Sequence, residues 1–281
     1  MEDTITKIKI KNILKQDKEP IINEEINFYL KVLFTPLILD QIFQFLEKDD
    51  KVYFSLCSKK TFNICCNKIS KIKIEENLKY LSVLNNIPNK YKNIKELIFE
   101  KCNNLNYFSF ISNIENLEVL HIYESNIENI LFLEKNIKIK ELKLIGCKKI
   151  RNYSPISKLE NLLILEISDV NLSDISFLKK TKNIKKLIFI YSLKKKNIKF
   201  ISDLEKLEYL HIDFGSDVID ISFLGKNKNI KELEIDSYWA KIYDYSFLST
   251  LKQLESISLK YSKISDFSCM NKNIKKLKLI D

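Results

Sequence analysis

Apolar residues recur along this chain with two nested periods. Within segments such as Asn-Leu-Glu-Val-Leu-His-Ile (116–122), Asn-Leu-Leu-Ile-Leu-Glu-Ile (161–167) and Asn-Ile-Lys-Glu-Leu-Glu-Ile (229–235) the form is N-[IL]-x-x-L-x-[ILF]. Its last positions alternate as in a strand with one buried face. The segments themselves return at a near-constant interval. Aligned on the first inward residue they fall at 97, 120, 142, 165, 187, 210, 233, 257 and 277, with gaps of 23, 22, 23, 22, 23, 23, 24 and 20 residues. The two inward positions of each segment are Leu97/Phe99, Leu120/Ile122, Leu142/Leu144, Leu165/Ile167, Leu187/Phe189, Leu210/Ile212, Leu233/Ile235, Ile257/Leu259 and Leu277/Leu279, all apolar. Such an array predicts stacked units that each add one strand to a continuous parallel sheet.

A second signature follows the strands, seen in Ser-Asp-Ile-Ser-Phe-Leu (173–178), Asp-Ile-Ser-Phe-Leu (220–224) and Asp-Tyr-Ser-Phe-Leu (244–248). Asp and Ser suit a turn because their side chains bond nearby backbone groups, and Phe-Leu returns apolar side chains to the core. So short an interval leaves little room for an α-helix, so the return side is expected to be extended or 3₁₀. The pattern over residues 93–281 resembles the 22-residue leucine-rich repeats of internalin-like and phosphatase-regulator-like proteins, which implies an α/β solenoid with a parallel β array and a 3₁₀ or extended convex side. Cys102 and Cys147 stand where that family places a buried Asn or Cys. Ser125, Val170, Ser192, Gly215, Tyr238 and Ser262 replace it elsewhere, so a degraded Asn ladder is expected. The last strand carries Lys275, Lys276 and Lys278, which predicts an exposed edge guarded by charge.

The first third follows another period. Apolar residues at 38, 39, 42, 43, 45 and 46, and again at 52, 53, 56 and 57, have helical spacing, and Lys48-Asp49-Asp50 supplies a cap between them. A third short helix is expected through Thr61 to Lys68. Pro36, Ile42, Phe43, Phe45, Leu46, Asp50, Ser55, Leu56, Ser58, Lys59 and Phe62 give this segment a resemblance to the F-box; Phe34 in place of the usual Leu, and one residue fewer between Pro36 and Ile42, depart from it. The resemblance implies a small α-helical head over 34–70 that docks on a Skp-type adaptor of a cullin-RING ubiquitin ligase, with Pro36, Leu37, Ile42, Leu46 and Leu56 facing or supporting the adaptor. The alternative is a helical cap that only covers the first repeat. Residues 1–33 form an extension, and 71–92 a capping strand (71–75) and linker. The head-then-repeats order, with its AT-rich composition, resembles repeat-family proteins of large DNA viruses and protists.

Composition narrows the function. The chain has 281 residues, of which 45% are apolar and 30% charged, and no run of eighteen apolar residues, so no membrane span is expected. Its start lacks an apolar signal region, which predicts a cytoplasmic protein, or host cytoplasm or nucleus if viral. The six cysteines include no C-x-x-C pair and there are two His, so reduced thiols rather than zinc ligands are expected. With three glycines, no phosphate loop, dinucleotide fingerprint or nucleophile elbow can be written, and neither enzyme activity nor a cofactor is expected.

The net charge of +10 raises the question of nucleic acid, but Arg151 is the single Arg. The residues that alternate with the core positions also carry more acid than Lys, which disfavours a phosphate cradle. They offer instead an apolar and aromatic centre, Val119, Tyr123, Ile145, Ile164, Ile188, Ile190 and Tyr209, with His121 and His211 on the same face, and an acidic end, Asp213, Glu232, Glu234 and Asp236. Exposed apolar surface rimmed by charge marks a protein-binding site; scatter of Ile over a tolerant surface is the alternative. His121 and His211 lie four strands apart, roughly 19 Å, too far to share a metal. An ion pair between His211 and Glu234 is expected. The sequence thus predicts either a substrate receptor of a ubiquitin ligase or a non-ligase scaffold or inhibitor, holding a protein substrate on its concave face.

Overall fold

The computed structural model describes residues 71–75, 94–103, 108–172, 174–192, 198–214, 220–238, 240 and 242–280. The chain divides into two units, 1–73 and 74–281. The head expected over 34–70, with Pro36, Leu37, Ile42, Leu46 and Leu56, lies outside the described residues, as do Cys57, Cys65 and Cys66.

Among the described residues ten strands follow one another: β1 Lys71–Glu75, β2 Glu96–Glu100, β3 Val119–Tyr123, β4 Glu141–Ile145, β5 Ile164–Ser168, β6 Lys186–Ile190, β7 Tyr209–Asp213, β8 Glu232–Asp236, β9 Ser256–Lys260 and β10 Lys276–Ile280. From β2 onward each strand pairs in parallel with the next in sequence. The register is in step, so Leu97 faces Leu120, Leu120 faces Leu142 and Phe99 faces Ile122. Every inward residue of β2 to β9 is at most 1% exposed, since each rung is covered by its neighbours. In β10 the same positions, Leu277 and Leu279, are 47% and 46% exposed, because no later rung among the described residues lies over them. Lys276 and Lys278 are exposed on that strand, as the charged-edge expectation requires.

The return side consists of 3₁₀ turns at Ser109–Asn113, Leu131–Glu134, Ser154–Lys158, Ser176–Lys179, Lys199–Asp203, Ser222–Lys226 and Ser246–Thr250. Most begin on an Asx turn. The Ser176, Ser222 and Ser246 amides donate to Asp174, Asp220 and Asp244 at 2.9, 2.8 and 2.8 Å. The bonds from Ser222 and Ser246 hold the Asp220 and Asp244 carboxyls below their usual range. The next two residues then turn inward, Phe177/Leu178, Phe223/Leu224 and Phe247/Leu248, all buried. One tight turn is what about seventeen inter-strand residues accommodate.

The Asn ladder is not lost but displaced. At the expected position, Ser125 Oγ accepts from the Cys102 amide at 3.2 Å and the buried Cys147 thiol donates to the Ile122 carbonyl at 3.4 Å. The Asn side chains act on the return side instead. Asn136 Nδ2 donates to the Ile111 and Ile114 carbonyls (3.0 and 3.1 Å), and Asn227 Nδ2 to Ile201 and Leu204 (2.9 and 3.0 Å). Asn161, Asn183, Asn229 and Asn273, just before the strands, donate to the Ile137, Glu160, Glu205 and Lys252 carbonyls. Ile114, Leu159, Leu204 and Leu251 alternate with Asn136, Thr181, Asn227 and Asn271 at the end of the return turn, so the unit is a pair of repeats rather than one. Ion pairs follow the same alternation: Glu118 lies between Lys95 (3.3 Å) and Lys140 (2.6 Å), and Glu208 between Lys185 (3.2 Å) and Lys231 (2.7 Å).

Candidate protein-binding face

Alternation places the remaining strand residues on the opposite face of the sheet from the core. On β3 to β6 that face carries Val119, Ile145, Ile164 and Ile190, all partly exposed: Val119 and Ile164 begin their strands on either side of Glu141, and Ile145 and Ile190 end theirs on either side of Ser168. Ile188 departs from the expectation: it is 8% exposed, set between Glu166 and His211 of the adjoining rungs, whose longer side chains cover it at strand spacing.

The polar residues here are tied to one another. His121 Nε2 lies 2.9 Å from Glu141, the Tyr123 hydroxyl 3.3 Å from His121 Nδ1, and Lys143 bridges Glu141 and Glu166 at 3.4 and 3.6 Å. Burial outweighs Glu141 and keeps the His121 pKa below its usual value. The chain of contacts fixes rotamers across β3 to β5, which leaves the flanking apolar side chains a preorganised surface.

The other end is organised around carboxylates. The Tyr209 hydroxyl donates to Glu234 at 2.7 Å, which together with burial raises its pKa, while Lys186 lies 4.4 Å from the centre of the same ring. The expected contact between His211 and Glu234 is present at 4.0 Å, and desolvation holds the His211 pKa below its usual value against the pull of Glu234. The two histidines sit four rungs apart, each beside its own Glu, and among the described residues no group of His, Cys, Asp and Glu could hold a metal.

Asp213 and Asp236 were expected to be open to solvent and are not. They are 5% and 9% exposed, because each turns back to accept a loop amide: Tyr191 N–H to Asp213 at 3.2 Å, Tyr238 N–H to Asp236 at 3.1 Å. Burial, with Asp236 as the register neighbour, pushes Asp213 up to about 6. Glu232 remains exposed.

Sequence reasoning missed a row of tyrosines at the rim where the strands end. Tyr191, Tyr238 and Tyr261 are 67%, 57% and 43% exposed, and Tyr238 and Tyr261 meet edge to face at 4.8 Å. Tyr191 and Tyr261 occupy the left-handed region (φ 48° and 53°), a position directly after the strand that Lys101, Glu124, Gly146 and Asp169 hold in other repeats. The signal was available: an aromatic residue stands where the repeat otherwise places Lys, Glu, Gly or Asp.

The repeats match a known family model. Residues 84–199 and 201–281 fit the BspA type leucine-rich-repeat region in six copies. The chain belongs to the BspA-type leucine-rich-repeat family. Among solved structures, this leucine-rich-repeat chain is similar to internalin C2 of Listeria monocytogenes, with 26% identity and TM-score 0.55, covering 62% of this chain and 76% of that one. Internalin F of the same organism aligns at 22% identity and TM-score 0.68 over 86% of this chain and 70% of its own. The Arabidopsis receptor kinase HAESA, solved with the peptide hormone IDA and the co-receptor SERK1, aligns at 15% identity and TM-score 0.54 over 72% of this chain and 36% of its own. No curated protein matches the chain significantly.

Proposed function

We propose that this protein is an interaction module that grips a partner protein on its concave face across β3 to β8. The observation that carries the reading is that Val119, Ile145, Ile164 and Ile190 are left partly exposed on consecutive rungs, on both sides of a central column of polar side chains locked to each other. An apolar surface framed by fixed polar groups loses little side-chain entropy on binding. The solved HAESA complex, in which a protein of this fold is seen with a peptide, supports the reading. Ile164→Asp with Ile190→Asp tests it: affinity capture of partners by the full chain should be lost while circular dichroism is kept. Unchanged capture would refute it.

The finer reading is that residues 34–62 couple this grip to ubiquitin transfer by binding a Skp-type adaptor, in the cytoplasm. It rests on the sequence match at Pro36, Ile42, Leu46, Leu56 and their neighbours. The alternative is a scaffold or inhibitor whose head is only a cap. A chain lacking 34–62 should recover no adaptor; recovery equal to that of the intact chain sinks the ligase reading and leaves the interaction module standing.

A further inference from the structure

The free side of β10 combines three features that no other strand of β2 to β10 shows together. The first is exposed core. Leu277 and Leu279 hold the inward positions, and Phe267 stands between an Asx-turn Asp and its Ser as the buried Ile175, Ile221 and Tyr245 do, yet the three are 47%, 46% and 44% exposed. The second is backbone. The Lys276 N–H donates to the Glu255 carbonyl at 3.1 Å and the Ile280 carbonyl accepts from Tyr261 at 2.6 Å, both on the β9 side. Alternation along a parallel ladder therefore turns the N–H and C=O groups of Leu277 and Leu279 away from β9. The third is charge. Earlier in the array Glu118 and Glu208 each lie between two Lys; Glu255 pairs with Lys275 at 3.0 Å, so the alternation stops on a cation. Lys276 and Lys278 have Ser256 and Ser258 as register partners rather than carboxylates.

We propose that this edge takes up an extended strand of a partner protein in which acidic and apolar residues alternate, of the form Glu-Glu-Leu-Glu-Leu. The surface is distinct from the concave grip, and the inference does not rest on that reading. Each feature of β10 selects one property of the occupant. The outward backbone groups require donors and acceptors, which another strand supplies and a lipid surface does not. Leu277, Leu279 and Phe267 call for apolar side chains on the core side of that strand. Lys275, Lys276 and Lys278 call for acid beside them, and the two Lys of β10 disfavour a second copy of the same strand, which would bring Lys against Lys. A strand of the required kind already sits inside the array: β8 reads Glu-Leu-Glu-Ile-Asp. The Lys row thus excludes self-pairing while it recruits a partner of opposite charge.

Fluorescence anisotropy of labelled peptides on the full chain tests the edge. The probes are Gly-Glu-Glu-Leu-Glu-Leu-Gly, its counterpart with Lys for Glu, and a copy of the first N-methylated at its second and third Glu, the residues whose N–H groups would face β10. The acidic peptide should bind, and both other probes should bind about tenfold more weakly or worse. Lys276→Glu with Lys278→Glu should weaken the acidic peptide by about tenfold or more and gain the Lys peptide. Lys158→Glu with Lys182→Glu, the same change of charge at exposed return-side positions, should leave both unchanged in about 0.15 M salt. Thermal melts confirm that each variant folds. An acidic peptide that binds no better than the Lys peptide, an N-methylated copy that binds as well as its parent, or equal loss from the edge and return-side variants overturns the proposal. So does capture of the chain by phosphatidylserine vesicles while the acidic peptide fails, which would assign the edge to a membrane surface. A concentration-dependent dimer that Lys276→Glu with Lys278→Glu alters would assign it to a second copy. Slow amide exchange at Leu277 and Leu279 in partner-free protein from its natural source would assign it to a further segment of the same chain. None of these results touches the concave grip, which Ile164→Asp with Ile190→Asp tests on other strands.

Discussion

Replacing Asp213 by Asn should make the protein more stable at neutral pH, an unusual outcome for a buried, hydrogen-bonded side chain. Burial, with Asp236 in the next rung, lifts the Asp213 pKa from 3.8 to about 6. The folded state therefore binds more protons than the unfolded chain between those values, and stability falls as pH rises through that window. Above it the wild type carries a penalty of about 2–3 kcal/mol, since each pKa unit is worth about 1.4 kcal/mol. Asn keeps an oxygen to accept the Tyr191 amide and removes the charge. Urea denaturation followed by circular dichroism should show Asp213→Asn ahead of wild type by about 1–3 kcal/mol at pH 7.5 and level with it below about pH 3.8. A variant that is destabilised at pH 7.5, or offset by the same amount at every pH, would refute the reasoning.

Three further outcomes follow from the stacking. Leu144→Ala, in a fully buried rung, should cost about 3–5 kcal/mol, whereas Leu279→Ala, 46% exposed on β10, should cost under about 1 kcal/mol by chemical denaturation. Asn227→Ala should cost about 2 kcal/mol by the same measurement, because it strips the Ile201 and Leu204 carbonyls of a shared donor. Leu163 occupies the position that Glu118 and Glu208 hold in the ion-pair ladder, between Lys140 and Lys185. Leu163→Glu should therefore raise the urea midpoint slightly at low salt, by no more than about 0.5 kcal/mol, and the gain should vanish in 1 M NaCl.

The sheet was legible in the sequence because a repeat array makes the same burial decision at every rung. Leu97, Leu120, Leu142 and their equivalents can only alternate inward if the strands stack in register. The 3₁₀ returns were legible from length alone. What escaped reading depends on side chains turning back on local backbone, which periodicity does not encode. Asp213 and Asp236 look like any outward strand residue until the Tyr191 and Tyr238 amides draw them in. The Asn ladder was sought after the strands, where the resembling family keeps it, and is found at Asn136 and Asn227 on the return turns. The first five gaps, 23, 22, 23, 22 and 23 residues, already held the two-repeat unit, but averaging all of them to one period hid it.

Site-specific photo-cross-linking in cells measures the central claim directly, with a benzophenone amino acid in place of Tyr123, Tyr209 or, on the return side, Phe200. The account predicts covalent protein adducts from positions 123 and 209 and none from 200. Adducts at position 200 with none at 123 or 209 would place the grip on the other side of the sheet and contradict it.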